Sequence, residues 1–179
     1  MNHTVGSVVL RQPEPSDLDA LYCHKNDPEV ANLLVGFRNG LSHAGMRRWL
    51  ESHEERSDEV LWVIAEAETD RCLGHVGLYR IAHRTRSAEF GIMLGDKNSW
   101  GKGIGRGVTR FAVGYGFTML NLNRVELTVL ATNQRALGLY KSLGFAVEGT
   151  MRQAQFKEGQ YIDVIMMSLL RDEFNGSVR

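Results

Sequence analysis

The chain has only two cysteines and three prolines in 179 residues. Cys23 and Cys72 have neither the spacing of a metal knuckle nor the number needed for a disulfide framework. Two reduced, mostly buried thiols in a cytoplasmic protein are expected, and no metal. An excess of charge is also missing, because 21 Lys and Arg balance 21 Asp and Glu. No global field recruits nucleic acid or a membrane surface. No apolar run approaches the ~20 residues of a membrane span. The opening residues, MNHTVGSVVLRQ, lack the basic and apolar regions of a signal peptide. Repeats and low-complexity tracts are absent.

What remains is an ordinary composition, 43% apolar and 23% charged, in a chain long enough to bury a substantial core. One domain over residues 1–174 is expected, with a polar, frayed tail at 175–179.

Glycine is plentiful, 19 in all, and densest between Phe90 and Gly107, FGIMLGDKNSWGKGIGRG. Phe90 to Leu94 reads as a strand and Gly95 to Ser99 as a polar loop. The turn Trp100-Gly101-Lys102-Gly103-Ile104-Gly105-Arg106-Gly107 follows. Beyond it Val108, Phe111, Ala112, Tyr115 and Met119 recur at helical spacing. Strand, glycine turn and helix together aim free backbone N–H groups at an anion. A side chain at those glycines would hold a phosphate away. A Walker loop would need Ser or Thr after Lys102, where Gly103 stands. A dinucleotide fingerprint would need G-x-G-x-x-G, which Arg106 interrupts. Taken alone, the stretch is also compatible with a glycine-rich connection that binds nothing.

Elsewhere the pattern predicts a strand at Val8 to Gln12 and a helix from Ser16, with Asp19 as capping partner and Leu18, Leu21 and Tyr22 as its apolar face. That helix stops near Asn26-Asp27-Pro28. Val30 to Val35 is ambiguous. Ser42 caps a helix to about Glu55, in which Met46, Trp49 and Leu50 share a face. Val60 to Glu66, Cys72 to Ile81 and Ser87 to Leu94 form an antiparallel meander, with Gly74 and Gly77 as bulge or close-approach points. Ile104 to about Met119 is a helix despite Gly114 and Gly116, each of which weakens it by ~1 kcal/mol. Arg124 to Val129 is a strand parallel to its predecessor. Asn133 caps a helix over Gln134 to Leu143 that Gly144 ends. Phe145 to Met151 and Tyr161 to Leu169 are strands joined at Glu158-Gly159.

The segment Asn133 to Phe145, NQRALGLYKSLGF, resembles the N-x-x-A-x-x-x-Y-x-x-x-G-F segment of the GNAT superfamily of N-acetyltransferases. The glycine turn is similar to that family's acyl-CoA pyrophosphate loop, Q/R-x-x-G-x-G/A. Gly103 and Gly105 match, and Trp100 stands where Gln or Arg is usual. The C-terminal stretch resembles the branch of the ribosomal-protein alanine and spermidine N-acetyltransferases. The resemblance is strongest over Ser87 to Phe174. It implies an α/β (α+β) fold, a GNAT-like, mostly antiparallel mixed sheet of about seven strands with helices on both faces. It also implies direct transfer from acetyl-CoA to a primary amine, with no metal.

On that resemblance the pyrophosphate would lie on Trp100, Gly101, Lys102, Gly103, Ile104, Gly105, Arg106 and Gly107. The pantetheine would pair with Ile92, Met93 and Leu94 where the sheet splays, and an N–H of Met93 or Leu94 would stabilise the oxyanion. Asn133 and Ala136 would also contact the cofactor. Tyr140 would be the general acid, protonated at neutral pH. Glu89 is the candidate base; its other role is an ion pair with Arg84 or Arg86. His75, His83 or a water chain are alternatives.

The acceptor is expected to be a peptide or protein N-terminal α-amine or another small amine. Gly77 and Arg80 stand where spermidine enzymes carry acidic residues, and Arg38, Arg80, Arg84 and Arg86 disfavour a polycation. Arg80 and Arg84 could instead grip the phosphates of a nucleotide-linked amino sugar. The surroundings of Lys25-Asn26-Asp27-Pro28 and Trp49 also resemble amino-sugar enzymes. A domain that binds acyl-CoA without turnover is the reading from another class. A homodimer through the C-terminal strand is a further expectation.

Overall fold

The structure, a computed structural model, describes residues 2–36 and 40–175. Arg38 and the tail beyond Asn175 lie outside the described residues. A short hairpin of β1 (His3–Val5) and β2 (Val8–Arg11) opens the chain. Helices α1 (Leu18–Asn26), α2 (Pro28–Asn32) and α3 (His43–Glu54) follow, then the meander β3 (Val60–Glu66), β4 (Cys72–Ala82) and β5 (Ser87–Leu94). Helix α4 (Ile104–Thr118), strand β6 (Arg124–Leu130), helix α5 (Gln134–Ser142) and the long hairpin β7 (Ala146–Lys157) and β8 (Gln160–Leu170) complete it.

The eight described strands form one sheet in the order β1-β2-β3-β4-β5-β6-β8-β7. All neighbours are antiparallel except β5 and β6, which are parallel as their helical crossover requires. The strand beyond the seven expected is β1, three residues folded back on β2. The ambiguous stretch from Val30 divides: Pro28–Asn32 is a short helix whose first N–H groups are capped by the Asp27 carboxylate, and Leu33 to Val35 are turn and bend.

Alternation along β3 separates the two faces. Trp62 and Ile64 join a core with Val108, Ala112, Val113 and Phe117 of α4 and Leu137 and Tyr140 of α5. Val63 and Ala65 point the other way, to Leu21 of α1, Val30 of α2 and Met46 of α3. Gly116 of α4 lies against the sheet, where an added Cβ would be 3.0 Å from Leu78 Cδ1. Close helix–sheet packing thus offsets the helix-weakening effect of that glycine.

Two local expectations change. The first helix is entered through a 3-10 turn at Pro15–Asp17, and the buried Asp17, not Asp19, accepts from the Glu14 N–H at 2.8 Å. Arg11 holds that carboxylate at 2.8 and 2.9 Å, an anchor that the exposed Asp19 lacks. Cys72 is buried, but Cys23 is exposed.

Candidate active site

Parallel pairing of β5 with β6 lasts only from Ser87↔Arg124 to Glu89↔Glu126. The strands part beyond Glu89, and the β6-facing edge of β5 loses its partner. A cleft of about 620 Å³ opens along this fork. Phe90, Gly91, Ile92, Met93 and Leu94 line it. Because their side chains alternate, Ile92 and Leu94 pack on the α4–α5 side, whereas Met93, and with it Gly91 and Glu89, face α1–α3. The cleft therefore passes through the sheet and is open to groups from both faces.

One end lies at the glycine turn. The Trp100 Nε1 donates to the Leu94 carbonyl at 2.7 Å, folding the turn back on the strand. Gly101 and Gly103 have φ of +81° and +79°, which glycine adopts without steric penalty. Gly103 is the N-cap of α4, so the first N–H groups of that helix have no carbonyl partner within it. Trp100, Gly101, Gly103, Gly105 and Arg106 line the cleft. Arg106 is braced by a 2.8 Å hydrogen bond to the Ser142 hydroxyl. Arg135, from the first turn of α5, lies 5.5 Å above the Trp100 ring and also lines the cleft. Glycine backbone, a helix N-terminus and two guanidiniums suit a phosphorylated ligand.

Helix α5 forms the second wall. The Asn133 Oδ1 caps it by accepting from the Ala136 N–H at 3.1 Å, and its Nδ2 donates to the Leu33 carbonyl at 3.1 Å. Asn133, Ala136, Leu139 and Tyr140 line the cleft. The Tyr140 ring is packed edge-on to Phe90 and tilted against Phe145. Only 8% of the residue is exposed, and burial pushes the phenol up to about 12. It is held in its proton-donating form at neutral pH.

The opposite end is aromatic. Trp49 and His53, one turn apart on α3, meet edge-to-face at 4.2 Å. His75 is 5.1 Å from Trp49, and Tyr79 is 6.0 Å from His53. The Tyr79 ring lies across Gly77 and Gly91, which face each other on β4 and β5. An added Cβ at Gly77 would be 2.6 Å from that ring, so Gly77 is a close-approach point as expected. His53 Nδ1 is engaged by the buried Glu59 carboxylate. Lys25 of α1 places Nζ 3.7 Å from the Trp49 ring centroid.

The roof comes from Val30, Leu33, Leu34 and Val35. The β7–β8 hairpin ties it down: Lys157 Nζ donates to the carbonyls of Ala31 and Gly36, and Gln155 Oε1 accepts from the Gly36 N–H.

The fork thus gathers Glu89, Ile92, Met93, Leu94, Trp100, Gly101, Gly103, Gly105, Arg106, Asn133, Ala136 and Tyr140. Lys102, Ile104 and Gly107 do not line the cleft. Ile104 packs on the core, and the Gly107 N–H already donates to Gly103 O. The two acceptor arginines move out of the site. Arg84 sits exposed in the β4–β5 turn. Arg80, in a bulge of β4 with φ of +51°, is 73% exposed at its side chain and pairs with Glu89. Glu89 therefore has an arginine partner, but it is Arg80 rather than Arg84 or Arg86. His83 is exposed, whereas His75 lines the cleft.

Sequence reasoning missed His53, Tyr79 and Arg135 as wall residues. His53 follows Trp49 at i+4 on the face already singled out. Tyr79 alternates with Gly77 opposite Gly91. Among the described residues no group of three His, Cys, Asp or Glu could hold a metal ion, and no helix is long and apolar enough to cross a membrane.

Comparison with known proteins gives the family and the fold. Residues 7–146 match the acetyltransferase (GNAT) domain family. The N-acetyltransferase p20 of Bacillus licheniformis is 34% identical over 94% of this chain and 96% of its own. The spermidine N(1)-acetyltransferase of Escherichia coli K12 is 31% identical over 94% of this chain and 88% of its own. The crystal structure of spermidine N-acetyltransferase from Vibrio cholerae, in complex with CoA and spermine, superimposes with a TM-score of 0.86 at 29% identity, covering 93% of this chain and 97% of that one. The chain belongs to the GNAT acetyltransferase family and is an N-acetyltransferase.

Proposed function

We propose that the chain moves the acetyl group of acetyl-CoA to the α-amine of a peptide or another small primary amine, by direct attack with both substrates bound. The observation behind this reading is the fork: one cleft joins an anion-suited glycine turn, an unpaired strand edge and a buried phenol. The pyrophosphate lies on the N–H groups of Gly103, Gly105 and Arg106, flanked by the Arg106 and Arg135 guanidiniums. The pantetheine follows the free edge of Ile92 to Leu94. This alignment places the thioester carbonyl beside the amine and lowers the entropic barrier.

The uncharged amine nitrogen bonds to the acetyl carbon, and the carbon–sulfur bond breaks. Tyr140 gives its proton to the departing thiolate. Glu89 lines the cleft and receives the amine proton, while Arg80 holds its carboxylate at the wall. The nucleotide-linked amino sugar loses its main support, because Arg80 and Arg84 stand outside the lining.

A turnover screen with acetyl-CoA tests the assignment over α-amine peptides, amino acids, polyamines and nucleotide amino sugars. Release of CoA dependent on an α-amine acceptor supports it. Acetyl-CoA binding without turnover of any amine would favour a binding-only domain.

A further inference from the structure

An amine must be uncharged to attack, yet near neutral pH most of a primary amine is protonated. Acetylation of an ammonium therefore sheds two protons from nitrogen. One is matched by the proton that Tyr140 gives to sulfur, and the other leaves to water. Glu89 takes the proton released once the carbon–nitrogen bond has formed. The earlier proton, whose loss frees the lone pair, needs a second acceptor.

His53 stands where that acceptor is needed. It lies in the last turn of α3 and lines the cleft on the side that Glu89 faces. Its side chain is 11% exposed, so it meets the cleft but little bulk water. Nδ1 donates to the Glu59 carboxylate, itself buried. In a neutral imidazole this leaves Nε2 as the nitrogen with the lone pair. Among the described residues no hydrogen bond occupies Nε2. The rings of Trp49 and Tyr79 pack against the imidazole. Tyr79 is also the cross-strand partner of Glu89, so the two proton acceptors flank one tyrosine.

The charged and titratable groups around this pair come from each neighbouring element. Arg56, which pairs with Asp58, places Nε 3.7 Å from the second Glu59 oxygen. Lys25 of α1 lies over Trp49. His75 and Tyr79 come from β4, and Glu89, paired with Arg80, from β5. A carboxylate on the far nitrogen fixes the tautomer of an imidazole base and stabilises the imidazolium that forms.

We infer that His53 is a further catalytic residue: its Nε2 takes the proton of the incoming ammonium, and Glu59 is the positioning residue that holds the ring. The N–H bond breaks with its electron pair left on nitrogen, and the proton passes to water after product leaves. The inference rests on the acetyl-transfer reading above. Its test is kcat/KM for the best acceptor of the turnover screen, read from CoA release between pH ~7 and a value above the pKa of that amine. His53→Asn puts an amide N–H where Nδ1 stood, so the tie to Glu59 is kept and the base is lost. Where it fails to fold, His53→Gln takes its place.

Expected at pH 7 is a loss of about tenfold for an α-amine of pKa ~8, and more for a more basic alkylamine. The gap should close to about twofold or less once the pH exceeds the pKa of the amine, which then arrives uncharged. Glu59→Gln should show a smaller gap of the same shape. KM for acetyl-CoA should hold in both variants. A folded His53→Asn protein with full activity at pH 7, or with a loss equal at every pH, would overturn the inference. So would an unaltered profile in Glu59→Gln. Turnover of no amine by the unmodified protein would instead sink the acetyl-transfer reading, and this inference with it.

Discussion

The indole Nε1 of Trp100 donates to the main-chain carbonyl of Leu94 at 2.7 Å. One side chain thereby fixes the angle between the end of β5 and the glycine turn, and carries Arg135 above its ring. Trp100→Phe keeps an aromatic surface and loses the hydrogen bond. The expected loss is about 1 kcal/mol, roughly a fivefold rise in KM for acetyl-CoA. Trp100→Gln has an amide N–H able to reach the same carbonyl and should recover part of that loss. Initial-rate kinetics on both variants decide it; an unchanged KM in Trp100→Phe would mean the bond does not shape the site.

Gly103 offers a sharper test of the anion site. An added Cβ would meet nothing within 4 Å, although φ of +79° strains any side chain. Gly103→Ala isolates that strain, and Gly103→Glu adds negative charge at the end of α4. Acetyl-CoA should raise the Tm of the unmodified protein and, more weakly, of Gly103→Ala, but not of Gly103→Glu. An undiminished shift in folded Gly103→Glu would place the pyrophosphate elsewhere.

Tyr140→Phe leaves the ring contacts with Phe90 and Phe145 in place. Tm and acetyl-CoA affinity should hold, while kcat falls by ~10²–10⁴-fold, the usual contribution of a general acid. With the phenol pushed up to about 12, activity should show no alkaline loss attributable to Tyr140 below pH ~11. Full activity in the Phe variant would leave this tyrosine a packing residue.

Acid stability should depend on Glu148, which bridges β7 to β6. Arg124 Nη1 donates to it at 2.6 Å and the Ser168 hydroxyl at 2.7 Å. The Arg124 bond first, then that from Ser168, holds the carboxyl down to about 2. A depressed carboxylate contributes stability above its unfolded value, ~4.3, and that contribution is lost as pH falls towards about 2. Glu148→Gln should lower Tm at pH 7, and the gap to the unmodified protein should narrow steadily from pH 5 to pH 2. A gap independent of pH would assign the effect to packing.

Local signals in the sequence read well where one element settles its own geometry. The glycine turn, the Asn133 cap and the Ser42 cap, whose hydroxyl accepts from the Gly45 N–H, follow from neighbouring residues. The meander and the parallel β6 follow from alternation and crossover rules. Arg80 and Arg84 escape such reasoning because side-chain direction in and beyond a bulge depends on the pairing register. The left-handed backbone at Arg80 takes its guanidinium to Glu89. Lys25 extends the apolar spacing of Leu18, Leu21 and Tyr22, yet only the crossing of α1 over α3 brings it to Trp49. Long-range packing of that kind leaves no trace in local periodicity.

The parting of β5 from β6 after Glu89 also bears on how such a protein can change over time. The recognition that it creates belongs largely to main-chain groups and to glycines without side chains. It is inherited with the topology, and drift at most side-chain positions does not erase it. The roof from Val30 to Val35 is in the opposite situation. It is fastened by a few polar ties from the β7–β8 hairpin and from Asn133. Under the proposed reading, substitutions there can alter the acceptor side of the cleft without touching the glycine turn, which none of these ties contacts.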